Sequence, residues 1–212
     1  MLFRSQIMIP RKLNNILDKT NLELHFIKDI QDNDRRLRFG GALDDDSVRK
    51  YIKESFNNFG DVNMWFIVDI ESFETFGRRV VASCHVNYNE KTNTAELGLT
   101  VSPDYRNQKI GQELFNRGIT WARMRGAETI FMHCLSENMA VQHIARKGGM
   151  AVVTIDPSEK ESSITVKKNP VIAGFEDAVF EQMAVYDMLV RNQKWFFTSF
   201  LRKFWGKTKA LK

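Results

Sequence analysis

Two apolar runs of strand length, AELGLTV (95–101) and ETIFMHCL (128–135), are joined by one amphipathic run, QELFNRGITWARMR. Leu114, Phe115, Ile119 and Ala122 of that run, with Ile110 just before it, fall on one stripe at helical spacing. A strand–helix–strand unit of this length requires parallel strands and a right-handed crossover. The turn into the helix, SPDYRNQKIG (102–111), holds a proline, an arginine, two amides, a lysine and one glycine. A helix that starts directly after a strand leaves backbone N–H groups unpaired and carries a partial positive charge. Such an end binds phosphate-like anions where the backbone can come close to them. Gly111 supplies the room, and Arg106, Gln108 and Lys109 add donors or charge. Neither G-x-x-x-x-G-K-[ST] nor G-x-G-x-x-G occurs, which excludes a Walker loop and a dinucleotide fingerprint. On these residues alone, a polar surface loop and an anion cradle both remain open.

The rest of the chain reads as a mixed α/β sheet. LELHFI (22–27) has the look of a first strand, and Asp29–Phe39 and the segment after Asp44-Asp45-Asp46-Ser47 form a first helical region. Val48, Tyr51, Ile52 and Phe56 recur at helical spacing, with the aspartates at the helix N-terminus. VNMWFIVDI (62–70) is strand-like, and Val80, Ala82, Cys84, Val86 and Tyr88 alternate with their neighbours as in a strand. Asn89–Asn93 supplies the turn of a hairpin into 94–101. SENMAVQHIARKGGM carries Ala140, Val141, Ile144 and Ala145 on one helical stripe and stops at Gly148-Gly149. Segments 150–156 and 162–168 read as a closing strand pair, followed by a long helix-like segment to about Trp205.

Composition excludes several classes. At 212 residues, the length fits one domain plus an extension. The start, MLFRSQIMIPRKLNN, lacks a secretory pattern, and no run approaches the roughly 20 apolar residues of a membrane span. Two cysteines, Cys84 and Cys134, fit a reducing compartment, and the expected location is the cytoplasm. Both lie inside predicted strands and read as buried small hydrophobes, not nucleophiles. His25, His85, His133 and His143 sit in unrelated elements without ligand spacing, so no metal is expected. The net charge is +5, yet Met188–Lys212 holds seven basic residues and no acid. The body is therefore close to neutral, which argues against a nucleic-acid-binding body.

The order AELGLTVSPDYRNQKIGQELF, strand, SENMAVQHIARKGGM resembles the GNAT N-acetyltransferase superfamily over roughly 22–168, most specifically over 95–150. Arg106 and Gly111 match the first and last fixed positions of the family's Q/R-x-x-G-x-G/A motif, whose backbone amides hold the coenzyme A pyrophosphate. Lys109 replaces its middle glycine, which keeps a backbone N–H and adds a cation. Asn138 and Gly149-Met150 match the asparagine that opens the following helix and the Gly-hydrophobic pair that ends it. The resemblance implies a mostly antiparallel sheet with a central, splayed parallel pair, flanked by helices, and a C-terminal helix beyond. It implies acetyl-CoA as co-substrate, bound by Leu99, Thr100 and Val101 beside the acyl arm, by Arg106, Asn107, Gln108, Lys109, Ile110, Gly111 and Gln112 around the diphosphate, and by Asn138. Gly98 in mid-strand fits a β-bulge or a simple packing need.

Acyl transfer from a thioester to an amine needs a neutral amine, a donor for the carbonyl oxyanion and a proton for the departing thiolate. Glu96 is the candidate base, because related enzymes often place a glutamate there that acts through water. Strand alternation sets it on the face of Gly98 and Thr100, and an ordinary exposed glutamate fits equally. A backbone N–H near Leu99 or Thr100 is the candidate oxyanion donor. The family's tyrosine, seven residues after the asparagine, is Ala145 here, which leaves Tyr88 and His85 as substitutes. Asp44, Asp45 and Asp46 attract a cationic amine or simply cap the helix.

The domain expected is 1–168, with a basic, aromatic-rich helical extension over 169–212. The stretch KWFFTSFLRKFWGKTKALK suits packing on the body or across a homodimer, a membrane interface, or an RNA or other acidic partner. The activity expected is transfer of an acetyl group from acetyl-CoA to a small or protein amine in a ternary complex. The alternative is an inactive acyl-CoA-binding module, or a membrane- or RNA-tethered interaction module.

Overall fold

The computed structural model describes residues 9–13, 16–57, 59–72, 77–154, 159–165, 174 and 176–185. Strand β1 (Arg11–Lys12) leads into helix α1 (Ile16–Leu24), which runs on as a π-helical turn over His25–Asp29. Helices α2 (Asp32–Phe39) and α3 (Asp45–Glu54) follow. Then come strands β2 (Asn63–Ser72), β3 (Gly77–Asn89) and β4 (Thr94–Val101). After β4, a 3-10 turn (Pro103–Tyr105) precedes helix α4 (Ile110–Met124) and strand β5 (Thr129–Leu135). Helix α5 (Met139–Lys147) and strands β6 (Ala151–Thr154) and β7 (Glu159–Thr165) complete the series. The seven strands lie in the order β1-β2-β3-β4-β5-β7-β6. Only β4 and β5 run parallel, as their helical crossover demands; the other neighbours are antiparallel.

Two cores form, one on each face of the sheet. Helix α4 buries Leu114, Phe115, Trp121 and Ala122 against Val86, Leu97 and Ile130. On the other face, Leu22, Phe26, Val48 and Ile52 from the first helices cover Trp65, Ile67 and Val80. Local signals start the helices. Asp44 caps α3, its Oδ1 accepting from the Ser47 N–H at 2.8 Å, and Asn138 caps α5 through the Val141 N–H at 3.2 Å.

Two expectations are corrected. LELHFI is helical, not a strand. Its apolar alternation is incidental, and the buried positions Asp18, Asn21, Leu22, His25 and Phe26 follow helical spacing. Nor does a bulge occur at Gly98: β4 pairs with β3 in unbroken register from Thr94↔Asn89 to Val101↔Ala82.

Residues 176–185 are helical and dock on the body. Arg117 of α4, fully buried, bonds Asp177 at 2.6 Å and also pairs with Glu181, while Lys12 reaches Asp177 at 2.8 Å. The basic segment 188–212, with its expected surface roles, and the strand ends at 155–156 and 166–168 lie outside the described residues. Among the described residues no helix is long and apolar enough to cross a membrane.

Candidate functional site

The parallel pair opens almost at once. Strands β4 and β5 are paired only at Thr94↔Thr129, Ala95↔Ile130 and Glu96↔Phe131. Glu96 therefore stands at the vertex of the splay. Beyond it β4 stays bonded to β3, where the Ser102 N–H donates to the Val81 carbonyl at 2.9 Å. Strand alternation then sends the main-chain groups of Gly98 and Thr100 to β3, and those of Leu97, Leu99 and Val101 to the open edge. Of the three residues expected beside an acyl arm, Leu99 and Val101 keep main-chain groups there. Thr100 does not, and its hydroxyl is bonded to Ser83 at 2.6 Å and His25 at 3.1 Å.

The turn after β4 is shaped by two residues in the left-handed region, Asn107 (φ 60°) and Lys109 (φ 64°). Among the described residues, the N–H groups from 107 to 111 have no backbone acceptor. An array of such donors beside a helix start is an anion cradle. Gly111 is needed for packing: a Cβ there would lie 2.8 Å from Ile144 Cδ1 of α5. Ile110 is buried in the core. The side chains are largely committed elsewhere. Arg106 pairs with Asp34 of α2 at 2.8 Å, and its Nε donates to the Val101 carbonyl at 3.2 Å. Gln108 bonds the Asp104 carbonyl at 3.2 Å, and Gln112 bonds Asn116 at 3.2 Å. Asn138, besides capping α5, donates to the Leu37 carbonyl at 3.3 Å. What the turn offers an anion is main chain, with the exposed Lys109 beside it.

A cleft of about 670 Å³ lies between the sheet and α2–α3, lined by Arg38, Tyr51, His85, Glu96, Gly98 and Cys134 among others. One hydrogen-bonded chain crosses it. Arg38 Nη2 donates to the Tyr51 hydroxyl oxygen at 3.1 Å, and Tyr51 lies 2.8 Å from His85 Nδ1. His85 Nε2 lies 3.1 Å from Asn63 Oδ1. An amide oxygen only accepts, so Nε2 carries the imidazole proton and the Tyr51 O–H donates to Nδ1. Burial, and then the Arg38 charge, push the His85 pKa down to about 3, so the ring is neutral. It also stacks on Trp65 with ring centroids 4.5 Å apart.

Of the residues that line this cleft, the sequence singled out Glu96 and His85 as candidates but not Arg38 and Tyr51. Tyr51 was legible only as part of a helical stripe, and Arg38 only as one charge among many. Tyr88, the other substitute for the missing tyrosine, is buried and bonds Asn93 at 3.1 Å, away from the cleft. Ala145 is buried in the α4-side core. Of the three aspartates, Asp44 caps α3, Asp45 pairs with Arg35 at 2.6 Å and Asp46 pairs with Arg49 at 3.0 Å. Burial pushes the Cys84 thiol up to about 12, the opposite of a nucleophile. Among the described residues no group of three or more His, Cys, Asp and Glu is arranged to hold a metal.

The model of the acetyltransferase (GNAT) family matches residues 25–150. No curated protein matches the chain. Solved structures share the fold at low identity. The GNAT domain of S. lividans PAT is 14% identical, with 74% of this chain and 89% of that one covered and a TM-score of 0.59. A GNAT-family acetyltransferase from Staphylococcus aureus Mu50 is 16% identical, with 74% and 99% covered and a TM-score of 0.57. A spermidine N-acetyltransferase chimera from Vibrio cholerae and hSSAT is 14% identical, with 76% and 96% covered and a TM-score of 0.52. The chain belongs to the GNAT acetyltransferase family. Acetyl transfer from acetyl-CoA is the activity of that family.

Proposed function

We propose that the chain is an N-acetyltransferase that moves the acetyl group of acetyl-CoA directly to a small amine bound in the cleft. The observation that carries this reading is Glu96 at the vertex of the splay, on the cleft wall and beside an open strand edge. The diphosphate lies on the N–H groups of 107–111, and the acyl arm runs along the open edge at Leu99 and Val101. Glu96 accepts the ammonium proton through a water. The amine nitrogen attacks the thioester carbon, and the Leu99 N–H holds the oxyanion. The C–S bond breaks, the thiolate takes a proton from Tyr51, whose hydroxyl turns from His85 to give it, and the second proton shed by the attacking nitrogen restores the Tyr51 hydroxyl, while Glu96 passes its own proton to solvent. Tyr51 thus fills the role left open by Ala145. The cleft volume is in the range of small-molecule sites. The spermidine enzyme among the structural neighbours supports an amine acceptor as the general class.

The test is acetyl-CoA-dependent thiol release across a panel of amines. Glu96→Gln should lower kcat/KM by about 100-fold or more, and Tyr51→Phe by about 10-fold or more, with acetyl-CoA affinity retained. Binding of acetyl-CoA with no turnover of any amine would favour an inactive acyl-CoA-binding module.

A further inference from the structure

We propose that Arg38 anchors a carboxylate carried by the acceptor, so that the acceptor is an amino acid or another small amine bearing an acid group, not a polycation. The inference rests on the acetyl-transfer reading of the same cleft and names its substrate class.

The neighbouring arginines are neutralised. Arg35 pairs with Asp32 and Asp45, Arg36 with Glu137, Arg79 with Asp29 and Arg106 with Asp34. Arg38 differs. Among the described residues no carboxylate oxygen lies within 4.0 Å of it, and its one side-chain bond goes to the Tyr51 hydroxyl; its Nε, like that of Arg35, is buried without a hydrogen-bond partner. Its remaining contacts are with the rings of Phe39 and Tyr51, at 5.1 and 5.9 Å. A partly desolvated guanidinium with unmet donors is a costly arrangement that an incoming carboxylate relieves, since the planar fork matches a carboxylate in a bidentate way.

Its position is as telling as its isolation. The guanidinium lies against the strand at Gly98, where a Cβ would overlap it, so the glycine is what admits the charge to the cleft. Two residues earlier on the same strand face stands Glu96, also on the cleft wall. The two charges form no ion pair within 4.0 Å. One cleft thus presents an acid suited to an ammonium and a cation suited to a carboxylate, with a neutral His85 between the flanking elements. That pattern complements a zwitterion. It disfavours a polyamine, whose second cation would meet Arg38.

The experiment compares L-amino acids with their own α-amides, and with spermidine, as acceptors for acetyl-CoA. Amides differ from acids in amine pKa, so the quantity read is the acid-to-amide ratio of kcat/KM in the wild type against the variants, in which that difference cancels. For the best acceptor, the ratio is expected to fall by about tenfold or more in Arg38→Met and by less in Arg38→Lys. In parallel, the N-acetyl amino acid and its amide are titrated calorimetrically into each protein, which tests the anchor without turnover. An unchanged ratio in Arg38→Met, equal binding of acid and amide, or faster turnover of spermidine than of any amino acid overturns the anchor while leaving the acetyltransferase reading intact. Acid-selective, Arg38-dependent binding without any thiol release supports the anchor and overturns the enzyme reading alone.

Discussion

Arg106 and Asp34 form an ion pair with Nη2 and Oδ2 2.8 Å apart, and it ties the turn after β4 to helix α2. The Arg106 side chain is thus engaged as a brace between the turn and α2, which leaves the main chain as the proposed seat of the diphosphate. Arg106→Ala should therefore cost acetyl-CoA affinity no more than about fivefold, the scale of a half-exposed pair. Gly111→Val should cost more, because its Cβ meets Ile144 Cδ1 at 2.8 Å, so that the isoleucine must turn aside, and its branched methyls crowd the approach to the main-chain donors. Calorimetric titration with acetyl-CoA checks both. Adding Ile144→Ala to Gly111→Val should restore part of the lost affinity; no recovery at all would show that the clash is not the cause.

Lys109 occupies a left-handed conformation, φ 64°, that costs a non-glycine residue about 1 kcal/mol. Lys109→Gly should stabilise the protein by roughly 0.5–1 kcal/mol, and Lys109→Val should destabilise it, since a β-branched residue tolerates that region worst. Urea unfolding reads both. A destabilised Lys109→Gly would mean that the lysine side chain holds the turn through contacts worth more than the strain.

Most of the fold was legible because two periodicities dominate it. The alternation of Val80 to Tyr88 and the helical stripe from Ile110 to Ala122 each had one reading, and the crossover then forced β4 and β5 parallel. LELHFI misled because Leu22, Leu24 and Phe26 alternate as in a strand, whereas only Leu22 and Phe26 of these share the buried helical face, together with Asp18, Asn21 and His25. The site was half legible. Turn chemistry pointed to the cradle and the family resemblance to Glu96, but local sequence says nothing about which charge meets which across the fold. Arg106 finding Asp34, and Arg38 finding no acid among the described residues, are facts of tertiary packing, as is the approach of Tyr51 to His85.

Two buried histidines make stability depend on pH. Burial pushes His25 down to about 3, and burial with the Arg38 charge does the same to His85, against an ordinary value of 6.5. Between those values the unfolded chain binds more protons than the folded one, so the stabilisation is complete above about pH 6.5 and is lost as pH falls. The slope is about 1.4 kcal/mol per pH unit for each histidine. The urea midpoint should therefore drop steadily from pH 6 to 4.5, before ordinary carboxylates titrate. His25→Gln should reduce that slope by about half, at some cost in stability at pH 7 through the lost bond to Thr100. A flat midpoint across this window would contradict the burial of both rings.

Arg117 ends on the far side of the sheet from the cleft, fully buried, with its guanidinium 5.0 Å from the Phe66 ring and 4.9 Å from the Phe180 ring. Its charge is met by Asp177 and Glu181 of the helix over 176–185. Apolar contact alone would let that short helix slide, whereas two charge-assisted bonds from one buried group fix its position. Removing one partner of a buried pair leaves the other charge without compensation, at a cost of about 3–5 kcal/mol. Arg117→Ala should lose that much and should expose 176–185 to limited proteolysis before the body is cut. Asp177→Asn should cost less, because Glu181 still answers the guanidinium. Exchanging Arg117 for Met and Asp177 for Leu together should recover part of the loss, as apolar groups fill the buried space while Lys12 and Glu181, 3.7 Å apart, still answer one another. Stability equal to wild type in Arg117→Ala would mean that the helix is held by other contacts, and protease sensitivity would then be unchanged as well.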